Sequence, residues 1–312
     1  MLYTFRAAAR IVAYGLMPFA KRFLTVLVVV LALPLWVTST IAAESCGPAF
    51  NGARSGGNRG FVIYDGLNYL GMPDLSAYGM VRIKIVDRGI WAIGHDGGAP
   101  DKHAVRDVAR SVPLDSTPVV LDFESYDLEG PEDEINASIT ALMQITAEFR
   151  EALPHRKLGF YGAPPLRDYW RSLKSDRPDS KFRAWQQQND RLSRLTENVD
   201  VLFPSIYTFY DDPAGWKRYA IAQVCEARRL SNKPVIAFIW PEYHPSRKLI
   251  WDRFIDADFW QMQLDLLRRY ADGIVVWGGY DIQNRHRRQW DNSAAWWLRT
   301  KAFALSVSNT PQ

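Results

Sequence analysis

The stretch PVVLDFESYDLEGPEDEINASITALMQITAEFREALP, residues 118–154, decides the fold. Its opening segment, Pro118–Phe123, is apolar except for Asp122. A run of this kind reads as a strand buried on both faces, as parallel sheets require. After a short polar turn, Pro131–Leu153 reads as a helix. Pro131 is expected in its first turn, where a missing N–H costs little. Glu132, Asp133 and Glu134 complement the positive end of the helix dipole. Ile135, Ile139, Leu142, Phe149 and Leu153 share one face that can pack on a sheet, and Pro154 ends the helix. A buried strand followed by an amphipathic helix is the repeating unit of an α/β fold.

The same alternation extends in both directions. Further strands are expected at Phe61–Tyr64, Val81–Val86, Leu158–Tyr161, Val199–Ile206, Pro234–Trp240 and Gly273–Trp277. Further helices are expected at Lys102–Ser111, Asp212–Leu230, Ala257–Tyr270 and Asn292–Ala304, with residues 164–198 helical in part. The first strand leads into Asp65-Gly66-Leu67-Asn68, which lacks the GxGxxG of a dinucleotide-binding sheet. The pattern therefore favours a distorted TIM-like (β/α) barrel of about seven strands over an open doubly wound sheet.

The chain has 312 residues, 47% hydrophobic and 23% charged, a globular composition. Its formal net charge is +4, but Arg6, Arg10, Lys21 and Arg22 precede residue 44 and no acid does. The remainder is electrically balanced, which argues against a nucleic-acid partner. Lys21 and Arg22 stand before the apolar run Phe23–Trp36, and Ala42 and Ala43 follow it. That order is expected of a signal peptide over residues 1–43, with 1–16 an extension before Met17. The alternative is a membrane anchor over residues 23–42, although the run is short for a span of ~20 residues. Export implies a secreted or periplasmic protein. A flexible leader is expected over 44–59, the barrel domain over 60–304 and a tail over 305–312. Cys46 and Cys225 can pair in an oxidising compartment, though spacing alone does not show that they meet.

Strand ends hold the candidate chemistry. In Leu121-Asp122-Phe123-Glu124-Ser125, Asp122 and Glu124 lie two residues apart and so face one side of a strand. At the C-terminal end of a barrel strand that side opens into the usual active site. Two close carboxylates repel, and one is expected to hold a proton, as a general acid must. Other strand ends are aromatic: Tyr161, Tyr207, Trp240 with Tyr243, and Trp277 with Tyr280. Such rings can floor a sugar site. Arg285, Arg287 and Arg288, and also Arg167, Arg171, Arg247 and Lys248, follow strand ends and can meet anionic groups. The five histidines, His286 and His244 among them, show no paired spacing, so neither a metal nor any other cofactor is expected. GxSxG is absent. The sequon Asn136-Ala137-Ser138 falls on the expected helix and is read as a chance match.

Together the motifs resemble the hyaluronidase family of glycoside hydrolases, the venom hyaluronidases included. The resemblance rests on Leu121–Ser125, on Phe203-Pro204-Ser205-Ile206-Tyr207 and on Ala271–Gly278, with Asp96–Pro100 and Phe160-Tyr161-Gly162 as lesser members in the same order. It implies an endo-acting, retaining hydrolase of N-acetylhexosaminides in a hyaluronan- or chondroitin-like polysaccharide. In that scheme Glu124 is the acid and then the base, and the substrate's acetamido oxygen is the nucleophile. Asp122 orients the acetamido group, Tyr207 supports the sugar and Trp277 packs on the acetamido methyl. Tyr161, Tyr169, Trp240, Tyr243 and Arg285 are the further candidates for substrate binding. The family's Cys-Tyr-Asn segment is replaced by Pro164-Pro165-Leu166-Arg167-Asp168-Tyr169, so either Arg167 or Tyr169 takes the tyrosine's place. Two alternatives stay open: a retaining pair of Glu124 and Glu242, and a carbohydrate-binding barrel without catalysis.

Overall fold

Parallel strands joined by helices run in a closed circuit. The computed structural model describes residues 46–47, 60–86, 100–251, 253–282 and 284–309, all within the unit Ala42–Gln312. The expected signal segment, the leader beyond Cys46-Gly47 and the motif at Asp96–Ala99 lie outside them.

Strand β1 (Val62–Leu67) pairs in parallel with β2 (Met80–Arg82) on one side and β7 (Gly273–Gly278) on the other, and β7 pairs with β6 (Ile236–Ile239). Strands β3 (Lys84–Val86), β4 (Val119–Leu121) and β5 (Leu158–Phe160) form a second parallel sheet. Two links close the circuit. The expected strand Val81–Val86 is broken at Ile83, whose N–H donates to the Asp65 carbonyl at 3.1 Å, so β2 and β3 occupy one position. The expected strand Val199–Ile206 is not regular. It joins β5 and β6 by single parallel bridges, Tyr161 to Phe203, Leu202 to Val235 and Ser205 to Phe238. The barrel is distorted at these two positions, and seven strand positions complete it.

Side chains alternate across the barrel wall. Tyr64, Val120, Val201, Phe203, Phe238 and Val275 form an inner cluster, whereas Val119, Leu121, Leu158, Phe160, Ala237 and Ile274 pack outward under the helices. Gly159 belongs to the inward set. A Cβ there would lie 2.2 Å from the Val201 carbonyl oxygen and 2.7 Å from the Phe203 ring. Glycine is thus what lets Phe203 fill the interior.

The helices follow their sequence signals. Helix α1 (Lys102–Arg110) is capped by Asp101, which accepts from the His103 and Ala104 amides. Helix α2 (Glu132–Ala152) buries Ile135, Ile139, Leu142, Ile145 and Phe149, and Pro131 occupies the position just before its first turn. Residues 164–198 resolve into α3 (Tyr169–Ser172), α4 (Ser180–Asp190) and α5 (Ser193–Asn198). Helix α6 (Pro213–Leu230) is capped by Asp212, α7 (Ala257–Tyr270) by Asp256, and α8 (Ala295–Ser308) closes the chain. A hairpin of β8 (Tyr280–Asp281) and β9 (His286–Arg287), absent from the sequence expectation, follows β7. Cys46 and Cys225 of α6 form a disulfide. Among the described residues no helix is long and apolar enough to cross a membrane.

Candidate active site

The two acids follow β4 directly. Val120 points into the barrel, Asp122 lies one residue past the strand's C-terminal end, and Glu124 stands in the turn that comes next. The ladder persists for one more step, as the Asp122 amide donates to the Val86 carbonyl at 3.1 Å. Phe123 is buried outward against Phe160. Glu124 is exposed and lines a cavity of about 460 Å³ with Tyr126, Tyr161, Leu166 and Arg167.

Beside the acids stands a group of aromatic rings. Tyr207, buried, lies with its ring centre 5.9 Å from Tyr161, 5.5 Å from Trp240 and 6.0 Å from Trp277. Trp240 and Trp277 meet edge to face at 4.8 Å. The Tyr161 hydroxyl and the Ser205 hydroxyl share a hydrogen bond of 3.0 Å. Burial pushes Tyr161 up to about 12 and Tyr207 well above the ordinary phenol value. Tyr161, Asp122 and Glu124 raise Tyr207 further. Both phenols are therefore hydroxyl donors at neutral pH. Trp277 also borders a second cavity of about 480 Å³, with Asn68, Arg82 and Asp115.

Arg167, not Tyr169, occupies this pocket. Its guanidinium donates to the Ser205 hydroxyl at 3.3 Å and sits over the Phe209 ring at 5.3 Å. Burial works against its charge, but Tyr161, Tyr219, Glu124 and Tyr207 more than offset that and raise its pKa. No carboxylate lies within ion-pair distance of it among the described residues. His244 joins from the opposite side, 4.7 Å from Phe209 and 6.2 Å from Tyr207 between ring centres. Burial, helped by Arg167, holds His244 down at about 4, so it is neutral at pH 7. Its Nδ1 accepts from the Ser246 amide at 3.2 Å, which assigns the proton to Nε2. Sequence reading noted His244 only as unpaired in spacing. No local pattern marks it.

Other expected residues are directed elsewhere. Tyr169 is buried and aims its hydroxyl at Asp212 of the α6 cap, 3.4 Å away. Tyr243 is buried and donates to Asp211 at 2.7 Å. Arg285 is exposed in the β8–β9 turn at φ 53°. Arg287 donates to the Asn68 and Tyr69 carbonyls, and Arg171 is engaged by Asp168 and Gln188. Glu242 is only 1% exposed, 3.5 Å from Arg288, and burial raises its pKa. A sugar ring has no access to that carboxylate. Among the described residues no group of His, Cys, Asp and Glu is arranged to hold a metal.

No protein-family model matches the chain. It is 29% identical over 144 residues to the hyaluronidase of Apis mellifera, a match covering 42% of this chain and 35% of that protein. It is 27% identical over 128 residues to the hyaluronidase of Polybia paulista, covering 39% of this chain and 42% of that one. It is also 28% identical over 137 residues to the inactive hyaluronidase B of Vespula vulgaris, covering 41% and 38% respectively. The matched stretch thus spans well under half of each relative. Among solved structures, bee venom hyaluronidase in complex with a hyaluronic acid tetramer superposes with a TM-score of 0.58 at 17% identity, over 80% of this chain and 96% of that one. A monoclinic crystal form of bee venom hyaluronidase gives 0.56 at 18% identity. The distorted (β/α) barrel is common to both. Over these stretches of sequence, and in its fold, this chain is similar to the venom-type hyaluronidases.

Proposed function

We propose that the protein is an exported endo-acting glycoside hydrolase that cleaves N-acetylhexosaminide bonds in a hyaluronan- or chondroitin-like polysaccharide. The observation that supports this reading is that Asp122 and Glu124, just past the end of β4, both act electrostatically on Tyr207, whose ring lies 6.0 Å from that of Trp277. The relatives named hyaluronidase supply the substrate class.

Glu124 gives its proton to the glycosidic oxygen as that bond breaks. The acetamido carbonyl oxygen of the sugar attacks the anomeric carbon and forms a bicyclic oxazolinium. Asp122 stabilises the positive charge that develops on the acetamido nitrogen. Water then attacks the anomeric carbon, Glu124 takes its proton, and the ring opens with the configuration retained. Tyr207 donates its hydroxyl to the reacting sugar, and Trp277 closes the apolar side of the acetamido methyl. The burial of Glu242 against Arg288 favours this route over a retaining pair of Glu124 and Glu242. Residues 1–43 act as the export signal of this scheme, followed by the leader 44–59 and the barrel, whose last helix α8 carries the expected 60–304 boundary on to Ser308.

The test is a reducing-end assay on hyaluronan and chondroitin with the native protein and Glu124→Gln. Release by the native protein, reduced by about 10²-fold or more in the variant, is expected. A second reading, a binding barrel without turnover, draws on Arg167 rather than Tyr169 lining the Glu124 cavity and on the inactive relative. Tight binding of hyaluronan with no release by the native protein would establish it instead.

A further inference from the structure

Trp170 is 61% exposed, an unusual state for so large an apolar ring. It is nevertheless held in place. Its ring centre lies 5.3 Å from Tyr169 and 5.1 Å from Tyr210, and both neighbours meet it edge to face, at 89° and 62°. Neither covers it as a stacked ring would. The Arg247 guanidinium lies 4.0 Å over the centre of the Tyr210 ring, which fixes a cation beside the same surface.

Trp170 stands in α3, in the connection after β5, while Tyr210 and Arg247 lie in the connections after the bridged segment 201–208 and β6. All three connections leave the C-terminal ends of neighbouring strand positions, the end at which Glu124 stands. Chain neighbours link the two places. Glu124 and Arg167 line one cavity, Arg167 sits over Phe209, and Phe209 precedes Tyr210 in the chain.

We infer that Trp170, Tyr210 and Arg247 form an outlying sugar subsite, where the C–H face of a pyranose stacks on the indole and Arg247 binds the carboxylate of an acidic sugar. The inference rests on reading the chain as a polysaccharide hydrolase. It adds that the groove extends along the loops after β5 and β6, and that affinity grows with substrate length. An anionic sugar fits better than a neutral one because the platform pairs an aromatic face with a cation. A protein partner is the other occupant of an exposed tryptophan, and the test separates the two.

The experiment uses the full chain with Trp170→Ala, Trp170→Phe and Arg247→Ala. Initial rates are measured on hyaluronan oligosaccharides of increasing length and on polymer. Binding to hyaluronan and to uncharged N-acetylglucosamine oligomers is measured in a Glu124→Gln background. Trp170→Ala is expected to raise KM on polymer about tenfold, with kcat held within about twofold. The penalty should fade on oligosaccharides too short to reach the platform, and Trp170→Phe should recover most of the loss. Arg247→Ala should weaken binding of hyaluronan more than of the uncharged oligomer. An unchanged KM on polymer, or an equal loss at every length, overturns the subsite and leaves a protein-docking role for Trp170. If the native protein cleaves nothing but Trp170-dependent binding of hyaluronan persists, the hydrolase reading falls and the subsite stands. If no glycan binds in a Trp170-dependent way, the subsite falls whatever the rates show.

Discussion

Arg167 is the residue whose identity most alters the expected chemistry of the pocket. Its five donors meet one neutral hydroxyl, that of Ser205, and its charge faces the Glu124 cavity. An anionic sugar substituent would complete it. Arg167→Gln is expected to raise KM on hyaluronan about tenfold more than on an uncharged N-acetylglucosamine oligomer, and parallel steady-state rates on the two substrates check this. His244 supports a different experiment. Its native pKa of about 4 lies below its ordinary 6.5, so between those values the unfolded chain binds a proton that the native state refuses. The stability owed to a neutral His244 is complete above pH 6.5 and is lost as pH falls toward 4. His244→Gln should flatten that acid-side decline by a few degrees in Tm, read from thermal scans across the interval. Parallel slopes for the two proteins would remove His244 from the acid sensitivity. Neither role was legible locally. Tyr243 was a candidate because it follows a strand end and Tyr169 because it could replace the family's tyrosine, but Asp211 and Asp212 claim their hydroxyls through contacts of more than thirty residues in sequence.

At the level of elements, the reading of β4 and α2 succeeded because both obey a strict period. Val119 and Leu121 pack outward and Val120 inward, as strand alternation requires. The segment 199–206 was overread. Its Val, Leu, Phe and Ile content resembles a strand, yet Pro204 lacks the N–H of a ladder donor and only isolated bridges form. The β8–β9 hairpin escaped notice because its turn residue at φ 53° is Arg285, where glycine or asparagine would have announced it. Gly159 shows how tightly the elements fit. Gly159→Ala drives a methyl against the Val201 carbonyl, backbone that cannot yield without disturbing the bridged segment. Calorimetry should show Tm lowered by about 5–10 °C with the protein still folded at room temperature. An unchanged Tm would mean that the segment at 201–203 moves freely, contrary to its packing.

For the molecule as a whole, the strand and helix count was readable because each element is short, punctuated and amphipathic in its own period. The closure of β7 on β1 was not, since it joins residues more than 200 apart. The same holds for the disulfide, which spans 179 residues. A loop of that length stabilises by up to about 5 kcal/mol in the chain-entropy limit. Reduction should therefore lower Tm, by up to about 10–20 °C, measured with and without reductant under otherwise equal conditions.

The seam between β1 and β7 sets an order of events during synthesis. Strand β1 leaves the ribosome early and finds β2 nearby, but its other edge stays unpaired until almost the entire chain has emerged. Cys225 arrives before β6 and β7 do. The covalent ring can shut while the hydrogen-bonded ring is still open. A chain arrested after α6 would thus expose two bare edges, Val62–Leu67 and the bridged segment 202–205, the places where a chaperone or a second copy of the chain would find backbone to pair with.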